Sequence, residues 1–279
     1  MRMAIIGSGL LATQIALQAA SRGFDVTVYN HRGDFTRFDQ LVEWVGSQEG
    51  SLRGRPLTRT GSLVDAIGDA DIVLEAAAED LGIKQTLFRE IEKLARPDAL
   101  LLTNSSNLLP AEISEGMAAP LRLVAMHFAN MIWRHNVVEV MGQEGTPSEL
   151  LERVADLGRA MGMAPVVIPK PVRGYLLNAL LIPFLDAGLA LWTGGHASPA
   201  GIDTVWTIGT GAPLGPFGIL DVVGFRVAAR VLAQRGAKEL ADRLQAEADA
   251  GRGGAADGTG FYLYDASGAA TGPNPAWES

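Results

Sequence analysis

Apolar and polar positions follow two different rhythms along the chain. In the first half, short β-branched runs alternate with longer stretches of helical spacing. Strands are predicted at residues 3–6, 25–29, 72–76, 100–103, 122–126, 137–141 and 165–168. Helices are predicted at residues 10–22, 35–45, 82–95 and 148–161. Strand–helix alternation implies right-handed crossovers and a mostly parallel sheet. After Pro171 the rhythm changes. Helical patterns cover residues 175–192, 199–208, 217–234 and 238–247, and only 261–264 reads as a strand. An α/β domain over 1–169 followed by an all-α domain over 170–279 is therefore expected. The glycine-rich stretch 251–260 reads as a loop, and the tail beyond Asp265 as loosely held.

The first strand runs directly into Gly7-Ser8-Gly9-Leu10-Leu11-Ala12. Gly7 permits a tight turn, and Gly9 lets backbone approach a pyrophosphate. Ala12 is small enough for the helix to pack on the strand. The N–H groups around Leu10 and Leu11 then face an anion at the helix N-terminus. Strand, glycine turn, helix and second strand together point to a Rossmann-type dinucleotide-binding domain. A ribose with a free 2′-hydroxyl usually meets an acidic residue at the end of the second strand. Here Asn30, His31 and Arg32 stand there, donors suited to a 2′-phosphate. NADP is the expected cofactor, with NAD as the alternative.

Composition narrows the partners. A chain of 279 residues suits two domains, and 48% hydrophobic with 19% charged residues is ordinary for a globular enzyme. The net charge of −8, with no basic run, argues against nucleic acid. Cysteine is absent, so thiolate chemistry and disulfides are excluded. The stretch 175–192 is apolar enough to raise the question of a membrane. Asn178, Pro183 and Asp186 interrupt it, and a buried interface helix is expected instead. With no signal-like segment, a cytoplasmic protein is expected.

Two further strand ends carry chemistry. Thr103-Asn104-Ser105-Ser106-Asn107 and Met126-His127-Phe128-Ala129-Asn130 both follow strands at their carboxyl ends, which face the ligand crevice of an open α/β sheet. Glu139 lies inside an apolar strand, where an unpaired charge is costly. A histidine backed by a buried carboxylate is an acid–base pair. His135 and His196 read as surface or structural residues.

These motifs resemble the 3-hydroxyacyl-CoA dehydrogenase family over almost the whole chain. The resemblance also rests on Glu75-Ala76-Ala77-Ala78-Glu79-Asp80 with Lys84, Gly174-Tyr175-Leu176-Leu177-Asn178, Gly211-Ala212-Pro213-Leu214-Gly215-Pro216-Phe217 and Gly258-Thr259-Gly260-Phe261-Tyr262. It implies hydride transfer at a 3-hydroxy/3-keto carbon. His127 would exchange the proton with the substrate oxygen and Glu139 would polarise His127. Ser106 would hydrogen-bond that oxygen, with Ser105 as the neighbouring alternative, and Asn178 would orient the substrate. Glu79 and Lys84 match positions flanking the nicotinamide, and Asn104 belongs to the cofactor-binding set. A small acyl substrate and a homodimer through the helical domain are also implied.

The chain departs from the family pattern at three places. Asn30 replaces an acidic residue. Ala129 and Met131 replace the usual Phe and Pro after the histidine. The segment between Arg32 and Thr58 is short where the family has a longer helical hairpin that helps hold coenzyme A. Three readings follow: a 3-hydroxyacyl-CoA dehydrogenase; the same reaction on a free 3-hydroxy or diketo acid or a carrier-protein-bound acyl group; and a non-catalytic nucleotide-binding relative.

Overall fold

The computed structural model describes residues 1–234 and 236–278. Two compact units divide the chain, Met1–Ala179 and Leu180–Ser279. The division falls inside a helix, downstream of the boundary at 170 expected from the sequence.

In the first unit, strands β1 (Arg2–Ile6), β2 (Asp25–Tyr29), β3 (Thr58–Thr60), β4 (Ile72–Glu75), β5 (Leu100–Thr103), β6 (Leu123–Phe128), β7 (Val137–Met141) and β8 (Ala164–Ile168) form one sheet. Their order is β3-β2-β1-β4-β5-β6-β7-β8. Every pair is parallel except β6 with β7. The helices of this unit are α1 (Leu10–Ser21), α2 (Thr36–Gln48), α3 (Leu63–Ile67), α4 (Leu81–Leu94), α5 (Pro110–Ile113) and α6 (Ser148–Ala160). Central strands β4, β5 and β6 are buried along their whole length. Such strands read as continuous apolar runs because helices cover both faces of a parallel sheet.

Strand β1 is flanked by β2 and β4, so the chain order reverses there. The loops after β1 and β4 leave in different directions at this switch point, and a crevice opens between them. Gly7 sits at its floor with φ +129°, and a Cβ on it would collide with the Ala76 carbonyl oxygen. Only glycine fits at that position. On the other side of the sheet centre, the β6–β7 hairpin sets His127 directly opposite Glu139.

Helix α7 (Tyr175–Thr193) runs from the first unit into the second. The second unit then holds α8 (Pro199–Thr210), α9 (Pro216–Val223), α10 (Phe225–Gln234) and α11 (Lys238–Asp249). The single helix expected over 217–234 is two. Gly224 adopts φ +85°, and the Phe225 N–H leaves the helical ladder to bond the Gly253 carbonyl at 2.7 Å. The unit also holds an antiparallel ribbon of β9 (Tyr262–Tyr264) and β10 (Ala270–Pro273), so it is helical with one small ribbon. The tail expected to be loose is anchored. Trp277 is buried against Trp192, Phe225 and Phe261, and Arg243 lies 4.1 Å over its ring. By length and composition α7 is apolar enough to cross a membrane, and most of it is not buried within the chain.

Candidate active site

His127 Nδ1 lies 2.8 Å from Glu139 Oε2, and both side chains are buried. The other carboxylate oxygen accepts the backbone N–H groups of Leu176 at 2.7 Å and Leu177 at 3.0 Å, at the start of α7. Glu139 therefore serves two partners: an imidazole, and the positive end of a helix. Burial pushes its carboxyl up, but the His127 hydrogen bond and the Leu177 and Leu176 N–H groups together outweigh that and hold it below the usual range. With Nδ1–H donated to Glu139, Nε2 is the nitrogen left for a substrate; this tautomer follows from the hydrogen-bond network.

The loop after β5 supplies the second part. Ser105 Oγ donates to Glu79 Oε1 at 2.6 Å and accepts from Leu108 N at 3.0 Å. Ser105 is thus consumed internally. Ser106 gives its N–H to Glu79 and receives Asn178 Nδ2 on its carbonyl at 3.2 Å, while its hydroxyl makes no bond among the described residues. Of the two serines, Ser106 is the one with a free hydroxyl. Asn104 turns inward, its Oδ1 accepting Phe128 N at 3.0 Å, and so ties this loop to the residue after His127. The start of α7 links the two parts: its Leu176 and Leu177 N–H groups bond Glu139, and its Asn178 bonds the Ser106 carbonyl.

Beneath that loop runs a buried ionic network. Lys84 Nζ lies 2.6 Å from Glu75 Oε1 and 3.4 Å from Glu79 Oε2, with only 1% of its side chain exposed. Glu75 also accepts Thr103 Oγ1 at 2.6 Å and the Ala77 N–H at 2.7 Å. Burial pushes the Glu79 carboxyl up. The Ser105 hydrogen bond, the Lys84 charge and the Asn107 N–H outweigh it, and the carboxyl sits below its ordinary value. Lys84 faces these carboxylates and not the solvent. Glu75 and Thr103 stand in the quoted motifs without an expected role, although a glutamate closing an all-apolar strand nine residues before a lysine was a signal for both charges.

At the dinucleotide crevice, α1 begins at Gly9 with no side-chain cap, and nothing approaches within 4 Å of where a Gly9 Cβ would stand. The first N–H groups of α1, at Leu10 and Leu11, are open to an anion. These features fit a bound pyrophosphate. Asn30 is spent on its own loop and on the glycine turn after β1. Its Nδ2 bonds Ser8 Oγ and the Asp34 carbonyl, both at 2.8 Å, and its Oδ1 accepts Arg32 N at 2.9 Å. His31 and Arg32 are exposed. Asp34 is turned to the start of α2, where it accepts Thr36 N at 2.9 Å.

Two residues for which no role was expected shape the surroundings. Tyr175 stacks its ring on His127, centroids 4.6 Å apart and planes at 22°. Gln14 of α1 accepts the N–H groups of Met131 at 2.8 Å and Ile132 at 3.3 Å. Met131 has φ +58°, a conformation closed to proline, whose ring holds φ near about −65°. The loop beyond His127 thus passes through an angle at Met131 that a proline could not adopt. Among the described residues, no group of three or more His, Asp or Glu side chains could hold a metal ion.

A dinucleotide crevice at the switch point of a parallel sheet, beside a carboxylate-backed histidine, defines a nicotinamide-dependent oxidoreductase. The family models agree. The NAD binding domain of 3-hydroxyacyl-CoA dehydrogenase matches residues 2–172, and its C-terminal domain matches residues 174–264. The chain belongs to the 3-hydroxyacyl-CoA dehydrogenase family. The human mitochondrial hydroxyacyl-coenzyme A dehydrogenase is 30% identical to it, over 79% of this chain and 75% of that one. A 3-hydroxybutyryl-CoA dehydrogenase of Clostridioides difficile is 26% identical, over 83% of this chain and 86% of its own length. A solved structure described as showing substrate-directed dual catalysis of dicarbonyl compounds by diketoreductase has a TM-score of 0.85 and 36% identity, covering 95% of this chain and 99% of that one.

Proposed function

We propose that this chain transfers a hydride between a nicotinamide dinucleotide and the 3-hydroxy/3-keto carbon of a small acyl compound, with His127 exchanging the proton. The observation that carries the reading is the buried His127–Glu139 pair. Glu139 fixes the imidazole and stabilises its protonated form. Ser106 and the His127 Nε2 proton would both donate to the developing alkoxide, which such donors stabilise most in a dry site. Asn178 holds the Ser106 carbonyl and with it the serine loop. The backbone N–H groups of Leu10 and Leu11 would hold the pyrophosphate, and Glu79 would border the nicotinamide, held from behind by the buried Lys84. Hydride transfer is the chemistry the nicotinamide supplies when bound.

The finer reading of the cofactor is NADP. Asn30 stands where an acidic residue would repel a 2′-phosphate, and Arg32 and His31 are exposed beside it. The carboxylate of Asp34 is occupied at α2. Arg32→Ala should raise the KM for NADPH well above any change for NADH; an equal effect on both removes the 2′-phosphate assignment.

The carrier has two readings. Relatives named for CoA substrates favour a thioester. The short segment between β2 and β3 and the likeness to the diketoreductase structure favour a free dicarbonyl acid. Oxidation of NADPH with acetoacetyl-CoA and with free acetoacetate separates them. Turnover of neither, with tight NADPH binding, would favour the non-catalytic relative.

The homodimer is part of this proposal. Leu180 on α7 is 75% exposed and Ile208 on α8 is 81% exposed, an apolar surface that a second copy would cover. Sedimentation should give a dimer, and Leu180→Glu with Ile208→Glu should give monomers. A monomeric wild-type protein at micromolar concentration sinks this part alone.

A further inference from the structure

We propose that Tyr175 is a positioning residue for the acid–base step, its ring forming a fixed wall that sets the plane of the His127 imidazole. The proposal rests on the reading of His127 as the acid–base group. A bulky aromatic residue with φ above zero is an outlier, and strain of this kind persists where the surroundings over-determine it. Tyr175 has φ +57° and is fully buried. Gly174 before it is also left-handed, at φ +79°. The Tyr175 N–H bonds the Val172 carbonyl at 3.2 Å, and the next two N–H groups, of Leu176 and Leu177, are held by Glu139. Its hydroxyl reaches the Leu108 carbonyl at 3.4 Å. The strained turn brings the ring flat against His127, centroids 4.6 Å apart.

The ring does what Glu139 cannot. A single hydrogen bond at Nδ1 fixes one end of the imidazole but leaves it free to swing about that bond. A flat surface against one face removes the swing, so Nε2 keeps one direction. The negative face of the ring also favours the imidazolium, adding to the carboxylate of Glu139 on β7. The other charges acting on the tyrosine are Glu79, between β4 and α4, and Glu75 on β4. Because Glu139 grips the turn that carries Tyr175, both supports of His127 are one mechanical unit.

The test compares wild type, Tyr175→Leu, Tyr175→Phe and His127→Asn in reduction of acetoacetyl-CoA with NADPH, from pH 5 to 9. A shift of about 1 Å at a reacting group costs up to about 10²-fold. Tyr175→Leu should therefore lose roughly 10- to 100-fold in kcat with little change in KM. The alkaline limb of its pH profile should move to lower pH. Tyr175→Phe, which keeps the ring, should restore most of that loss. A second readout needs no variant at 175. Among the four histidines, one imidazole Cε1–H proton resonance of the wild-type protein should be displaced upfield by ring current and vanish in His127→Asn.

The proposal is overturned if no resonance is displaced, if Tyr175→Leu matches wild type in kcat and pH profile, or if Tyr175→Phe is as impaired as Tyr175→Leu. Should the leucine variant not fold, the displaced resonance and the phenylalanine variant decide. An active His127→Asn would instead overturn the reading of His127 itself. An inactive His127→Asn beside an unimpaired Tyr175→Leu would overturn only the role of Tyr175.

Discussion

At the residue scale, single side chains serve several partners at once. Glu139 binds His127 and two helix N–H groups; Glu79 binds Ser105, Ser106 and Asn107; Glu75 binds Lys84 and Thr103. Removing the acid–base residue should be severe for chemistry and mild for binding. His127→Ala should lower kcat by about 10²–10⁴ with the Kd for NADPH unchanged, as steady-state and fluorescence titrations would reveal. Breaking a buried pair is costly because the remaining charge loses its partner. Glu75→Gln should destabilise the chain by about 3–5 kcal/mol in urea titration, and Glu75→Gln with Lys84→Met should recover part of it. A stability loss under about 1 kcal/mol for the single variant would show that the pair is well solvated after all. Glu139 also carries a pH signature. Its carboxyl is held below the ordinary value, so the stability it adds is present above that value and is lost as pH falls through the lower folded value.

At the scale of elements, backbone conformation decides what residue type cannot announce. The Met131 turn is left-handed, and its N–H is bonded to Gln14. Restoring the family's proline there removes the bond and forbids the angle. Met131→Pro should destabilise by more than about 1 kcal/mol, measured by thermal melt, and impair turnover through the loop beyond His127. An unaltered melt would mean that this loop carries no tertiary load. The break at Gly224 belongs here too. Seven of the eight sheet strands were legible, because apolar runs of four to six residues have one reading between glycine-rich turns. The missing one, β3, is Thr-Arg-Thr at the sheet edge, too short and too polar to stand out. The division into α9 and α10 was hidden for the opposite reason: the helical period passes through Gly224, and only the pull of Gly253 on the next N–H reveals the turn.

At the scale of the whole molecule, the second unit hangs on two buried carboxylates. Asp203 accepts Phe217 N, Gly218 N and Tyr262 Oη; Asp221 accepts Phe261 N, Tyr262 N and Tyr264 Oη. Together they join α8, α9 and the ribbon. Burial pushes the Asp221 carboxyl up to about 6, and the nearby Asp203, itself raised by burial, adds to it. A raised carboxyl stabilises the fold below its unfolded value, and that contribution is lost as pH rises through the folded value. Unfolding free energy should therefore fall between about pH 4 and pH 7, by roughly 3 kcal/mol from Asp221 alone. Asp221→Asn should remove the Asp221 share of this slope in denaturant titrations; a slope of wild-type size in the variant would assign it elsewhere.

The sequence by itself determined the class of fold, the glycine turn of the dinucleotide crevice and the pairing of His127 with Glu139. Those features depend on local pattern: apolar runs, a glycine turn at a strand end, and a histidine and a glutamate in strands that had to be neighbours. Tertiary structure alone decided how each serine is engaged: Glu79 and the Leu108 N–H take the Ser105 hydroxyl, and no described residue bonds that of Ser106. It turned Asn30 inward and left Arg32 exposed. It buried Lys84 between two carboxylates and laid Tyr175 against His127. The physical reason is common to all of these. Periodicity records which side of an element is buried, whereas a hydrogen bond or a stacked ring depends on distances between segments far apart in the chain, which packing alone sets.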